Sequence, residues 1–108
     1  MKTIPIQEAF ERIEQSKSLI LLYMKKDMKI TPTMEQVCEL VSQHNTVVPI
    51  VRVEIDTETL TKEEAQQLSI MRVPQLRFYA NGTSLCALTG RISPSEVYEK
   101  ILSLYTNG

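Results

Sequence analysis

The spacing of apolar residues changes along the chain in a fixed order. From residue 19 to residue 24 the sequence reads Leu19, Ile20, Leu21, Leu22, Tyr23, Met24 without a polar interruption. A run of this length without alternation predicts a strand covered on both faces, the middle of a sheet. Before it, residues 7–15 place Ala9, Phe10 and Ile13 on one side and Glu8, Glu11, Arg12 and Glu14 on the others, the period of an amphipathic helix. Residues 4–6 predict a short edge strand, where Pro5 is tolerated because its missing donor faces solvent. After the central run, Met34, Val37, Cys38 and Val41 recur at helical spacing, which predicts a helix over residues 30–44. Pro32 either opens that helix or kinks one that begins near Asp27. Residues 46–56 are β-branched and alternate toward their end, the pattern of a second inner strand.

The C-terminal half is punctuated by Val73-Pro74, Asn81-Gly82 and Gly90. Asn-Gly tolerates the positive φ values of a tight hairpin, so residues 75–80 and 83–89 are predicted to be antiparallel neighbours. Thr61-Lys62-Glu63-Glu64 and Ser93-Pro94-Ser95-Glu96 each read as a capping box, opening a short helix to about Leu68 and a final helix carrying Val97, Ile101 and Leu104 on one side. The predicted order is βαβαβαββα, an α/β chain with a central mixed sheet flanked by helices.

Composition narrows the function classes. A chain of 108 residues, 43% hydrophobic, is sized for one domain spanning residues 1–108. A net charge of −1 with interspersed signs offers no electrostatic footprint for nucleic acid or an anionic membrane. The N-terminal residues turn acidic early, and no apolar run reaches the roughly 20 residues needed to cross a bilayer. A soluble, cytoplasmic protein is expected. Two distant cysteines, Cys38 and Cys86, do not make a disulfide framework, so reduced thiols are the default.

The stretch from Ser69 through Val73-Pro74 to Asn81-Gly82, with Gly90 beyond it and Asp56 after the third strand, resembles the signature of the thioredoxin family. The resemblance covers essentially the whole chain and implies the three-layer thioredoxin-like fold, with Pro74 in the cis form. It also locates a departure. The family places Cys-x-x-Cys where the central strand meets the second helix, because the helix N-terminus favours the thiolate. Matching Pro32 to the family's helix-two proline puts Met24, Lys25, Lys26 and Asp27 at those four positions. Aligning from the strand side puts Asp27 first and Ile30 last. Neither alignment supplies a sulfur nucleophile; residues 19–22 lack the family's buried acid, and tryptophan is absent.

The remaining candidates are thinner. Cys38 shares a helical face with core residues and reads as core; Cys86, on the last strand, is the one candidate reactive thiol. His44 alone makes neither a metal site nor a catalytic pair, and no metal ligand set or cofactor is expected. Lys25, Lys26 and Lys29 near a helix start read as a solvated turn with Asp27 as N-cap, or as a small anion site. The resemblance leaves the groove beside Pro74, with Arg72 and Val73, where the backbone can pair with an extended peptide. The expected function is a protein-binding or adaptor domain without dithiol–disulfide exchange. Its alternatives are a thiol-dependent oxidoreductase using Cys86 and a structural subunit; the expected partner is a protein or extended peptide, and the chain is expected to be a monomer or weak homodimer.

Overall fold

The computed structural model describes residues 1–25, 33–45, 47–56, 58–68 and 74–105. Within them lie strands β1 (Lys2–Pro5), β2 (Ser18–Lys25), β3 (Ile50–Ile55), β4 (Gln75–Ala80) and β5 (Thr83–Thr89), and helices α1 (Ile6–Gln15), α2 (Thr33–His44), α3 (Lys62–Leu68) and α4 (Pro94–Tyr105). The strands form one sheet in the order β1-β3-β2-β4-β5. β1, β3 and β2 run parallel, and β4 and β5 antiparallel, so the sheet is mixed.

The unbroken apolar run is the third strand of five, as its lack of alternation predicts. Leu19, Leu21 and Tyr23 face one core with Ala9, Val51, Val53 and Ile55, and Phe10 and Ile13 of α1 close over it. Ile20, Leu22 and Met24 face the other, with Met34, Val37, Cys38 and Val41 of α2 and Val97 and Ile101 of α4. α3 joins the α1 layer, where the Gln7 amide donates to the Glu64 carboxylate at 2.8 Å. Helices thus cover both faces, but the α1 face over β5 stays open: Ser84, Ala87 and Thr89 are exposed there.

Capping chemistry behaves as its residues dictate. The Thr61 backbone N–H donates to Glu64 Oε1 at 2.9 Å and the Glu64 N–H to Thr61 Oγ1 at 3.1 Å, a complete reciprocal box. At α4 only half of the box forms. The Glu96 N–H donates to Ser93 Oγ at 3.2 Å, but the Glu96 carboxylate takes the Ser93 hydroxyl rather than its backbone N–H. Asn81 and Gly82 both have positive φ, +51° and +81°, as the two-residue hairpin requires.

Two boundaries differ from expectation. β1 spans Lys2–Pro5 rather than residues 4–6, because its register pairs Lys2 with Val51 and Pro5 with Glu54, and Ile6 turns inward as the first residue of α1. β3 begins at Ile50 rather than residue 46. Asn45 intervenes: its Oδ1 accepts the Val47 N–H at 2.9 Å and its amide donates to the Val48 carbonyl, holding a turn inside a β-branched run. Residues 30–32, where the sequence predicts the first turn of α2, lie outside the described residues, and Pro32 with them.

Three tyrosines tie the layers together. The hydroxyls of Tyr23 and Tyr79 share a buried hydrogen bond of 2.7 Å. Tyr105, the last residue of α4, donates to the backbone carbonyls of Tyr79 at 2.8 Å and Leu19 at 3.3 Å, two residues paired across β2 and β4.

Burial keeps several of these groups protonated. It pushes the Cys38 thiol from 9.0 up to about 12, with Glu35 and Glu39 adding to the effect, and the Tyr105 hydroxyl from 10.0 up to about 12. The unfolded chain releases these protons at the lower values while the folded chain keeps them, so their contribution is complete below pH 9.0 and is lost as pH rises through about 12. The melting temperature is therefore expected to hold level up to about pH 9 and then fall toward pH 12. Cys38→Ala should move the onset upward toward the tyrosine range. A melting temperature that stays level to pH 12 would contradict this.

Candidate functional site

The residues singled out in the sequence converge on one end of the sheet. Met24 and Lys25 close β2, and the Tyr23–Gln75 pair brings the start of β4 beside them, so Pro74 lies one step beyond that pair. Thr89 pairs with Gln75 from the other side, which brings Gly90 to the same end. Gly90 has φ +74°, a conformation that disfavours other residues and lets the chain leave β5 sharply.

The side chains divide into a buried and an exposed set. Met24 is buried in the core shared with α2 and α4, whereas Lys25 is exposed and paired in register with Ile55. Pro74 is partly buried. Lys26 and Asp27, and Arg72 and Val73, lie outside the described residues. On the neighbouring strands the same end carries an open depression of about 300 Å³ lined by Thr3, Ile4, Pro5, Glu54 and Asp56. It sits at the C-terminal ends of β1 and β3, and the carboxylates of Glu54 and Asp56 line it.

Neither cysteine belongs to this end. Cys38 is fully buried on α2. Cys86 pairs with Phe78, three residues along β4 from Gln75, or about 10 Å up the strand. Its side chain is partly buried against the α4 core, and its Sγ lies 4.0 Å from the Ala87 carbonyl oxygen. The two thiols are free. No cluster of His, Cys, Asp or Glu suited to a metal ion occurs among the described residues.

One constellation was passed over in the sequence. Gln75, Arg77 and Tyr79 share the α1 face of β4, alternating with Leu76 and Phe78 of the opposite core. Gln75 is buried, and its Oε1 accepts the Arg77 Nε–H at 3.0 Å. Burial pushes the Tyr23 and Tyr79 hydroxyls up, while the positive charge of Arg77 acts on both in the opposite sense. Two polar residues at alternate positions in an otherwise apolar strand were the available signal.

Neither a protein-family model nor a curated protein matches the sequence. Solved structures do match it. The thioredoxin of Malassezia sympodialis superposes with a TM-score of 0.70 at 18% identity, over 94% of this chain and 90% of that one. The oxidised thioredoxin of Plasmodium falciparum gives 0.70 at 20% identity, over 97% and 98%. The reduced desulfothioredoxin of Desulfovibrio vulgaris Hildenborough gives 0.67 at 23%, over 88% of each chain. Likeness at these identities carries the fold and leaves the reaction open. With its mixed five-stranded sheet between two helical layers, this chain has the thioredoxin fold.

Proposed function

We propose that this chain is a thioredoxin-fold protein-binding domain that does not carry out dithiol–disulfide exchange. One observation carries the reading: the end of β2 that meets Pro74 bears Met24 and Lys25, while the chain's two cysteines sit elsewhere, one inside the core and one on the α4 side of β5. Exchange requires a thiolate to attack and a second thiol to resolve the mixed disulfide. A buried thioether and an exposed ammonium supply neither.

The partner in this reading is an extended protein segment. It adds to the chain by main-chain hydrogen bonds beside Pro74, with Arg72 and Val73 providing the adjoining backbone and Lys25 a charge at the rim. Affinity then comes from backbone pairing and specificity from the side chains around it. Two unpaired thiols suit a reducing compartment, which supports a cytoplasmic location. Among the described residues no helix is long and apolar enough to cross a membrane.

Partner capture from a native lysate tests the groove. Lys25→Glu, Arg72→Glu and a bulky Val73→Trp are expected to reduce capture severalfold, with Lys25→Glu shifting stability by no more than about 0.5 kcal/mol because Lys25 is exposed. Capture that survives all three, but is abolished by changes on the exposed faces of α2 and α4, would move the function to the helices and favour a structural subunit.

Thiol labelling tests the competing enzyme, which needs a reactive Cys86. In the native protein at neutral pH, Cys38 is expected to stay unlabelled because it is buried and its thiol is pushed up to about 12. Cys86→Ser should therefore abolish native labelling, and denaturation should restore one thiol. Labelling of Cys86 far faster than that of a free thiol would favour the single-thiol oxidoreductase.

A further inference from the structure

The two edges of the sheet are built differently. β1 is four residues long and carries Lys2 and Pro5, a cation and a missing donor, both of which discourage pairing with another chain. β5 is seven residues long, Thr83-Ser84-Leu85-Cys86-Ala87-Leu88-Thr89, with neither a charge nor a proline. Within the sheet it pairs with β4 alone. One irregularity interrupts it, a register shift opposite Phe78 and Tyr79 that leaves Leu85 as the extra residue, 44% exposed. Beyond the shift the register is regular: Phe78 with Cys86, Arg77 with Ala87, Leu76 with Leu88, Gln75 with Thr89. Four consecutive residues thus present an outer edge without any of the devices that blunt β1.

Among the described residues of β4 and β5, the face beside this edge holds one charge, Arg77. Arg77 is partly buried, and its recorded partners are neutral: Gln75 Oε1 at 3.0 Å and Ser84 Oγ at 3.4 Å. No carboxylate among the described residues forms an ion pair with it. A guanidinium has five N–H donors in a fork that matches a carboxylate, so donors remain for a ligand. Directly opposite Arg77 on β5 stands Ala87, whose methyl group leaves the way from the guanidinium to the edge clear. A strand added beyond β5 would lie about 9.5 Å from β4, twice the strand spacing, a gap that an arginine and a glutamate bridge from its two sides.

The opposite face sets the polarity. On the α4 side, Leu88 borders a depression of about 260 Å³ that Glu96, Glu99, Lys100 and Ser103 also line. An added strand with carboxylates on that face would meet two carboxylates, Glu96 and Glu99, against the single cation Lys100. With its carboxylates on the other face it meets Arg77.

We propose that the outer edge of β5 is a second recognition site, which takes up an extended acidic peptide as a sixth strand and pairs one of its carboxylates with Arg77 across Ala87. The peptide that fits alternates acidic residues toward the α1 face with apolar or β-branched residues toward α4. A second copy of this chain is a poor occupant. Continuing the sheet through a two-fold axis would bring a second Arg77 to the same face, and the uncharged β5 offers it no carboxylate. The site lies along the β5 edge, with Thr89 reaching the Pro74 end, and stands whether or not that groove binds.

A fluorescently labelled peptide of sequence Thr-Val-Glu-Val-Glu-Val-Thr, its glutamine counterpart, and a version with proline at the centre test the proposal by anisotropy. The glutamate peptide is expected to bind at least about tenfold more tightly than the glutamine one, the value of one charge-assisted hydrogen bond, and the proline peptide not to bind. Arg77→Gln should erase the preference for glutamate. Ala87→Glu should abolish binding while leaving the melting temperature unchanged or higher, since it places a carboxylate opposite Arg77. Amide shifts in a nuclear magnetic resonance titration should fall on Thr83–Thr89. Equal binding of the glutamate and glutamine peptides, an Arg77→Gln variant that binds as wild type, or shifts at Met24 and Lys25 in place of β5 would each overturn the proposal. So would no binding at millimolar peptide, or a dimer by light scattering that Arg77→Gln tightens.

Discussion

The double burial of β2 is the constraint on which the rest of the structure depends. Six consecutive side chains, Leu19 through Met24, are buried, odd positions against the α1 core and even positions against α2 and α4. Fully burying one such side chain is worth about 1.5–3 kcal/mol, so this strand is the largest contiguous apolar contribution to the fold. Because both faces are covered, a slip of one residue would exchange the two cores. The register with β3 and β4 is correspondingly fixed, and that register brings Met24, Lys25 and the Pro74 end of β4 together.

The same burial makes demands on the polar groups inside it. Tyr23 is fully buried, and its hydroxyl needs a partner, which Tyr79 of β4 supplies. Tyr105 in turn satisfies the backbone carbonyl of Tyr79, so the final turn of α4 is tied to the sheet through polar contacts as well as through Val97 and Ile101. Arg77 lies close enough for its charge to act on both phenols. It contributes to the interior electrostatics of the α1 face while its Nη1 donates to Ser84 Oγ on β5.

The fold was legible because each element carried its own chemistry. Asn81-Gly82 fixed the hairpin, and β4 and β5 have the bounds that dipeptide and its flanks predict. Thr61 and Glu64 marked α3 through a box that closes as written, and the helical spacing of Met34, Val37, Cys38 and Val41 named the buried face of α2. The start of β3 was not legible, since its β-branched residues continue through a turn that only the Asn45 side chain defines. Nor was Arg77: a charged residue in a strand is ordinary in sequence, and that no carboxylate among the described residues pairs with it depends on which strands become neighbours. The candidate site was legible in part. Strand pairing brings Met24, Lys25 and Pro74 to one end of the sheet, and it leaves Cys86 about 10 Å away on the face toward α4.

The proposal that this thioredoxin fold does not carry out dithiol–disulfide exchange is tested by the reduction of insulin by dithiothreitol. The purified chain is expected to leave the rate of insulin precipitation at its uncatalysed value, and Cys86→Ser to change nothing. A rate comparable with that of an ordinary thioredoxin, whether lost or retained in Cys86→Ser, would contradict it.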